Sequence, residues 1–283
     1  MRVAYVNGAY LPLSRAGVSV EDRGFQFADA VYEVWAVRNG ALMDEAGHFT
    51  RLRRSLSELR IAEPMDEAPL RVILHETQRR NRVANGLVYL QISRGAAPRE
   101  HAFPTPAVRP SVIVTAKTID PKKLAARAAA GVKIVSAPDN RWGRCDIKPV
   151  GLLPNVLAKQ SALDEAAFDA WLIDAEGRVT EGTASNAWIV DREGRLRTAP
   201  LSANILHGVT RASLMRLAAE RQIPVLEESF TLHEAYEARE AFMSSASNAC
   251  TPIVEINGRR IGDGRPGPIA VLLRDAYFGS AGA

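Results

Sequence analysis

Asn-Gly pairs at positions 7–8, 39–40 and 257–258 punctuate short apolar segments, and they constrain the fold more than any other feature of the chain. Both residues tolerate positive φ, so a two-residue turn of this kind between alternating segments closes an antiparallel hairpin. Residues 3–6 and 9–13 read as an opening hairpin, and 254–261 read as a later one. Further short strands are expected at 87–93, 112–114, 132–136, 170–173, 178–182 and 186–190. Phe49, Leu52, Leu56 and Leu59 recur at helical spacing, which predicts an amphipathic helix over 47–59. Helices are also expected over 70–80, 156–167, 211–221 and 268–277, the second of these with Val156, Leu157 and Leu163 as its apolar positions and Lys159 on its polar side. A polar stretch at 117–125, containing Pro121, separates two halves. The expected division is an N-terminal domain over 1–118, a linker over 119–125 and a C-terminal domain over 126–283. Helices interrupting a strand-rich second half point to an α+β architecture with a distorted barrel.

Composition narrows the function. Hydrophobic residues are 47% and charged residues 24%, the balance of an ordinary globular protein, and a length of 283 suits two modest domains. The net charge of +4 is small and its basic residues are spread out, which argues against a nucleic-acid partner despite a pI of about 9.2. Cys145 and Cys250 form no disulfide framework and no zinc spacing. The first eight residues carry no signal-peptide core and no apolar run is long enough for a membrane span, so a cytoplasmic protein is expected.

The chain is poor in lysine. Of 36 basic residues only Lys117, Lys122, Lys123, Lys133, Lys148 and Lys159 are not arginine. Lys148 alone is expected among buried neighbours: Cys145, Ile147, Val150, Leu152 and Leu153. Apolar surroundings strip an ammonium of solvation and favour the neutral, nucleophilic amine that Schiff-base chemistry needs. The competing reading is a snorkelling lysine with its head in water. Gly208-Val209-Thr210-Arg211 opens the helix whose apolar face is Leu214, Leu217 and Ala218. It is either a phosphate seat or an ordinary threonine N-cap. Ser244 to Asn248 supplies small donors or a plain turn, and Glu181 at a strand end holds a pyridinium nitrogen or accepts backbone hydrogen bonds. Arg99 and His101 in a proline-containing run, 94–104, bind a carboxylate or belong to a solvated loop.

Taken together, Arg144-Cys145-Asp146-Ile147-Lys148 with Leu152-Leu153, Thr180-Glu181-Gly182-Thr183-Ala184-Ser185-Asn186, and Gly208-Val209-Thr210-Arg211 resemble the fold-type IV pyridoxal-phosphate enzymes. Within that class the chain resembles the D-amino-acid aminotransferases, over nearly its whole length. The resemblance implies a smaller N-terminal α/β domain, a larger C-terminal pseudo-barrel domain that binds pyridoxal 5′-phosphate, and a homodimer. It makes Lys148 the Schiff-base lysine that also moves the substrate proton, and Glu181 the partner of the pyridine nitrogen. Arg51, in His48-Phe49-Thr50-Arg51-Leu52, matches the arginine on the cofactor phosphate, and Val209 and Thr210 match the helix-start donors to it. Ser245 and Ser247 match more loosely, because Ala246 stands where many relatives carry threonine. Tyr32, Arg99 and His101 match the substrate-carboxylate residues, the last two serving the partner subunit's site. Ala97, before Pro98, is a position where the family varies. The implied reaction joins D-amino acids and 2-oxo acids, for example D-alanine and 2-oxoglutarate giving pyruvate and D-glutamate. The same family includes L-branched-chain aminotransferases and aminodeoxychorismate lyases, and the run 94–104 resembles the D-specific branch. No metal, nucleic acid or membrane is implied.

Overall fold

The computed structural model describes residues 2–279, which divide into two compact units. Of these, the first holds 2–120 together with Ile147–Gly151, and the second holds Pro121–Asp146 and 152–279.

In the N-terminal unit the opening hairpin is β1 (Val3–Val6) and β2 (Ala9–Pro12). A short α1 (Arg23–Phe27) precedes the long β3 (Ala30–Arg38) and its partner β4 (Ala41–Leu42). Two helices follow, α2 (Glu45–Glu58) and α3 (Glu67–Arg80), then β5 (Gly86–Ser93) and β6 (Ser111–Thr118). The six strands form one antiparallel sheet in the order β2-β1-β6-β5-β3-β4. Alternation along β3 puts Val31, Glu33, Trp35 and Val37 on the buried face and Tyr32 and Val34 on the other. Phe49, Leu52 and Leu56 of α2 and Leu70 and Leu74 of α3 pack with Trp35, Val88, Leu90 and Val114, so the helical spacing of α2 reads its buried face correctly. Ile147 joins the same core. The residues after it pair with β3: Tyr32 N–H donates to the Lys148 carbonyl at 3.1 Å, and Val150 N–H donates to that of Ala30 at 3.1 Å.

The C-terminal unit begins with α4 (Pro121–Ala130), a register in which proline's missing N–H costs no helical bond. The stretch expected as a linker therefore holds the last residues of the polar run and the first turn of a helix. Next come β7 (Val132–Pro138), α5 (Leu153–Asp164), β8 (Asp169–Ile173), β9 (Arg178–Gly182), β10 (Asn186–Val190) and β11 (Leu196–Thr198). Helix α6 (Val209–Glu220) leads to β12 (Val225–Glu227), β13 (Phe230–Thr231) and α7 (Leu232–Tyr236). The hairpin β14 (Glu240–Ser245) and β15 (Ala249–Ile256), then β16 (Arg259–Arg260) and α8 (Pro268–Gly279), complete it. Six strands close on themselves in the cycle β10-β14-β15-β7-β8-β9, the last step through the Asn186–Glu181 pair that joins β9 back to β10. This closed sheet is the pseudo-barrel of the expected α+β fold. Trp171, Ile134, Ile189, Met243 and Ile253 pack together on one face of its strands. Trp188 stacks on Phe242 at 5.6 Å on neighbouring strands, with Arg211 of α6 over its ring.

Helix α5 corrects the sequence reading. Its buried residues are Ala158 and Ala162, packed with Val135, Ala170 and Leu172. Leu153, Val156, Leu157 and Leu163 are exposed, Leu153 at 68%. Alanines let the helix approach β7 and β8 closely, and the larger apolar side chains are left pointing away. Among the described residues no helix is long and apolar enough to cross a membrane.

Candidate active site

In the N-terminal unit the lysine of the central motif is carried on the segment that pairs with β3. Its backbone N–H donates to Ser55 Oγ at 3.3 Å, and its ammonium lies 4.2 Å from the centre of the Tyr32 ring. Tyr32 in turn stacks on Tyr89 at 5.6 Å. The side chain is half-buried, less enclosed than the sequence suggests. Cys145 and Ile147 are buried, Val150 and Leu152 only partly, and Leu153 faces outward because it opens α5.

On the opposite face of β3, Glu33 is fully buried and takes a bidentate pair from Arg51, with Nε to Oε1 at 2.7 Å and Nη2 to Oε2 at 2.8 Å. His48 Nδ1 lies 2.7 Å from Glu33 Oε2. Arg51 and His48 reach this carboxylate because they lie three residues apart on one side of α2. Burial alone would raise the Glu33 carboxyl, but the charge and hydrogen bonds of Arg51, helped by His48, bring it down to about 2. Burial pushes the His48 imidazole below its usual range, against the pull of Glu33. Glu33 is a residue the sequence reading missed. A carboxylate at an inward position of a strand was the available signal.

The run after β5 brings Arg99 and His101 onto one aromatic platform. The Arg99 guanidinium carbon lies 4.7 Å from the Phe27 ring centre, and the His101 ring lies 5.4 Å from it. Both side chains are exposed.

In the C-terminal unit Glu181 lies near the end of β9 with its carboxylate buried. Oε2 accepts from Asn186 Nδ2 at 3.1 Å, both oxygens lie 3.2 Å from the Leu206 backbone nitrogen, and Oε1 takes an ion pair from Arg141 Nη1. Arg141 also forks onto Asp139, with Nε to Oδ1 at 2.8 Å and Nη2 to Oδ2 at 2.7 Å. Burial opposes the charge of Arg141, but the bond to Asp139 and the charge of Glu181 raise its pKa. Arg141 is the second residue the sequence reading missed.

The N-cap position of helix α6 is Gly208, with no side-chain cap, so Thr210 is not the N-cap. A side chain at 208 would run into Asn186 Oδ1, and only glycine lets the helix start this close to β10. Thr210 is 3% exposed and its hydroxyl finds no partner among the described residues. A buried hydroxyl at a helix N-terminus is costly unless an acceptor comes to it, and an anion is the natural one. The three-residue turn between β14 and β15 holds Ser247, whose hydroxyl oxygen lies 3.2 Å from that of Ser245 at the end of β14, and Ala249 takes positive φ at 54°. Asn248 Nδ2 donates to Ser247 Oγ at 3.0 Å.

A helix start with an unsatisfied hydroxyl and a carboxylate already surrounded by donors suit a phosphate and a pyridinium, respectively. A half-buried lysine suits an aldehyde. Thr210 and Glu181 of the C-terminal unit therefore suit the phosphate and ring nitrogen of pyridoxal phosphate, and Lys148 of the N-terminal unit, taken by itself, suits its aldehyde.

Comparison with known proteins agrees. The family described as "Amino-transferase class IV" matches residues 30–256. The D-alanine aminotransferase of Bacillus licheniformis is 39% identical over 280 residues, covering 99% of this chain and 97% of its own. That of Staphylococcus haemolyticus is 37% identical over 278 residues, covering 98% and 97%. Among solved structures, the branched-chain aminotransferase of Thermoproteus uzoniensis with norvaline superposes with a TM-score of 0.85 at 27% identity, covering 99% of this chain and 94% of that one. A second branched-chain amino acid aminotransferase, from T.th. and complexed with N-(5′-phosphopyridoxyl)-L-glutamate, gives 0.89 at 27% identity with the same coverage. The chain belongs to the class IV aminotransferases. It is a pyridoxal-phosphate-dependent transaminase of fold type IV.

The buried triad sets an acid limit. The folded pKa of Glu33, about 2, lies below its ordinary value of 4.5, so its stabilisation is complete above pH 4.5 and is lost as pH falls toward 2. His48 acts in the same direction, since the unfolded chain takes up that proton first. Glu33→Gln should lower stability at pH 7 by roughly 3–5 kcal/mol, because it leaves Arg51 buried without its counter-charge. Urea titrations should show a steeper acid loss in the wild type than in the variant. Parallel curves would remove Glu33 from this role.

Proposed function

We propose that the enzyme moves an amino group between D-amino acids and 2-oxo acids, with D-alanine and 2-oxoglutarate giving pyruvate and D-glutamate as the representative reaction. The observation that carries this reading is the pairing of Arg99 with His101 on the Phe27 ring, two groups suited to a carboxylate, in a chain that is 37% and 39% identical to two D-alanine aminotransferases.

Bound pyridoxal phosphate supplies an electron sink for charge that develops at the substrate Cα. Lys148 would provide the amine that holds the cofactor, and would take and return the proton at Cα. Tyr32, beneath that ammonium at 4.2 Å, limits where the amine can swing and lines the substrate side. Glu181 would accept from the pyridine nitrogen and favour its protonated form. Arg141 and Asn186 fix the carboxylate for this task. In the N-terminal unit Arg51 would be the phosphate residue, and in the C-terminal unit Val209 and Thr210 at the α6 start and the Ser245 and Ser247 hydroxyls would be. Pairing with Glu33 fixes the orientation of Arg51. Arg99 and His101 hold the α-carboxylate. Because one lysine delivers the proton from one side, the position of that carboxylate decides which enantiomer forms. A cytoplasmic enzyme fits both cysteines being free.

The exposed face of α5 supports a homodimer. Leu153, Val156 and Leu157 lie at i, i+3 and i+4, so they share one side of the helix, which we assign to a second copy of the chain. Leu157→Glu should convert the dimer to monomer in sedimentation velocity. An unchanged sedimentation coefficient would move the interface elsewhere.

Reductive trapping with borohydride, followed by peptide mapping, should put the cofactor label on Lys148. A label on Lys159 would refute the assignment, as would full turnover by Lys148→Ala.

Stereochemistry is the sharper test. With 2-oxoglutarate as acceptor, D-alanine should outpace L-leucine, and Arg99→Ala should raise KM for D-alanine by about tenfold or more, the cost of losing a charge-assisted contact. Faster L-leucine turnover would favour the branched-chain reading that the solved structures represent. An unaltered KM in Arg99→Ala would mean that the carboxylate is bound by other residues.

A further inference from the structure

We infer that Arg23 is a positioning residue for the substrate carboxylate, acting by holding the backbone beneath Arg99 and His101; the inference rests on the D-amino-acid reading of that pair. The run 94–104 contains no helix or strand, and the side chains of Arg99, Glu100 and His101 are exposed. Such a segment ordinarily samples many conformations, and ordering it on each binding event would weaken affinity. Here its backbone is fixed from below. Arg23 is buried and donates to three successive carbonyls, those of Glu100 at 2.5 Å, His101 at 3.3 Å and Ala102 at 3.2 Å. Its Nε donates to Asp29 Oδ2 at 2.8 Å, and Asp29 also takes a bidentate pair from Arg94 at 2.7 and 3.0 Å.

The same short segment is stitched to the start of the run. Arg23 N–H donates to the Gly95 carbonyl at 2.9 Å, Ala97 N–H donates to that of Glu21 at 3.2 Å, and Ser93 Oγ donates to Asp22 Oδ2 at 2.8 Å. Gly95 has a φ of 109°, and a side chain there would strike the Arg109 carbonyl, so the path admits only glycine. The guanidinium of Arg23 lies 4.9 Å from the Phe27 ring, the ring that also carries Arg99 and His101. One aromatic side chain thus joins the clamp to both groups it positions.

The arrangement requires a planar fork. An ammonium is a single point donor and cannot reach Asp29 and three carbonyls at once, so Arg23→Lys keeps the charge and loses the clamp. Phe27→Leu removes the shared platform while leaving Arg23 in place.

The experiment is a double-mutant cycle on the holoenzyme, with D-alanine and 2-oxoglutarate as substrates. Each variant is first checked for wild-type cofactor absorbance. Arg23→Lys and Phe27→Leu should each raise KM for D-alanine about tenfold in the wild-type background, with a much smaller change in kcat. In the Arg99→Ala background each should raise KM clearly less, because one of the two groups they position is gone and only His101 remains. The same increase in both backgrounds would overturn the inference, since a purely structural role does not depend on Arg99. Wild-type KM in both single variants would also overturn it, and if Arg23→Lys fails to fold, Arg23→Gln, which keeps a planar donor on the same backbone, takes its place with the same outcomes. If Arg99→Ala itself leaves KM unchanged, the carboxylate reading fails and takes this inference with it. If Arg99→Ala raises KM while both other variants keep it, only the role of Arg23 is lost.

Discussion

The reach of Lys148 depends on two backbone hydrogen bonds that tie residues 148–150 to β3. A lysine on an unpaired loop would carry its ammonium through a wide volume. Here the Lys148 carbonyl accepts from Tyr32, and Val150 donates to Ala30. The amine is therefore delivered beside the Tyr32 ring by main-chain geometry rather than by side-chain contacts alone. Alternation along β3 then separates two environments. Tyr32 and Lys148 lie on one face, while Glu33, one residue on, lies on the other with Arg51 and His48. A one-residue slip in the pairing of β3 with β5 would exchange the two faces, so the eight-residue register from Ala30↔Ser93 to Val37↔Gly86 has a chemical consequence.

In the C-terminal unit a comparable economy appears at Glu181. The residue pair that closes the strand cycle, Asn186 with Glu181, also carries the carboxylate and one of its donors. The Asn186 amide also donates to the Leu206 carbonyl, at the approach to α6, and its Oδ1 occupies the space that a side chain at 208 would need. Barrel closure, the start of the helix and the setting of Glu181 are therefore coupled through one asparagine.

Much of this was legible in the sequence, and the reasons are specific. The face of α2 follows from Phe49, Leu52 and Leu56, because large aliphatic and aromatic residues at helical spacing have one place to go. The Asn-Gly hairpins and the longer strands follow from turn chemistry and length. Strands of two or three residues, β11 to β13, carry too little pattern to be read, and the closed cycle is a property of pairing that no single segment encodes. The face of α5 was misread because alanine suits both core and surface, so its burial is decided by how closely the helix can approach the sheet. Lys148, Glu181 and Thr210 stand in motifs and could be singled out locally. Arg141 and Arg23 could not, since what defines them is a partner 40 or 77 residues away, and Glu33 offered only its inward place on β3, its partner lying 18 residues on.

The arginines among these belong to a wider habit of this chain, which builds its buried polar joints from guanidinium groups. Arg23 ties three carbonyls to a carboxylate, Arg51 forks onto Glu33, and Arg94 bridges Asp29 to the carbonyls of Leu59 and Arg60. Arg141 joins Asp139 to Glu181, and Arg211 joins Ala199 to Glu227. A planar cation with five donors can satisfy several acceptors at once, and it stays protonated when desolvated. Lysine does neither well, and an amine that loses its proton on burial becomes a competing nucleophile toward an aldehyde cofactor. With guanidinium groups at the structural joints and only six lysines in 283 residues, the chain limits the amines that could compete with Lys148 in the role proposed for it. The scarcity of lysine is thus physically consistent with a chemistry that depends on a single reactive amine.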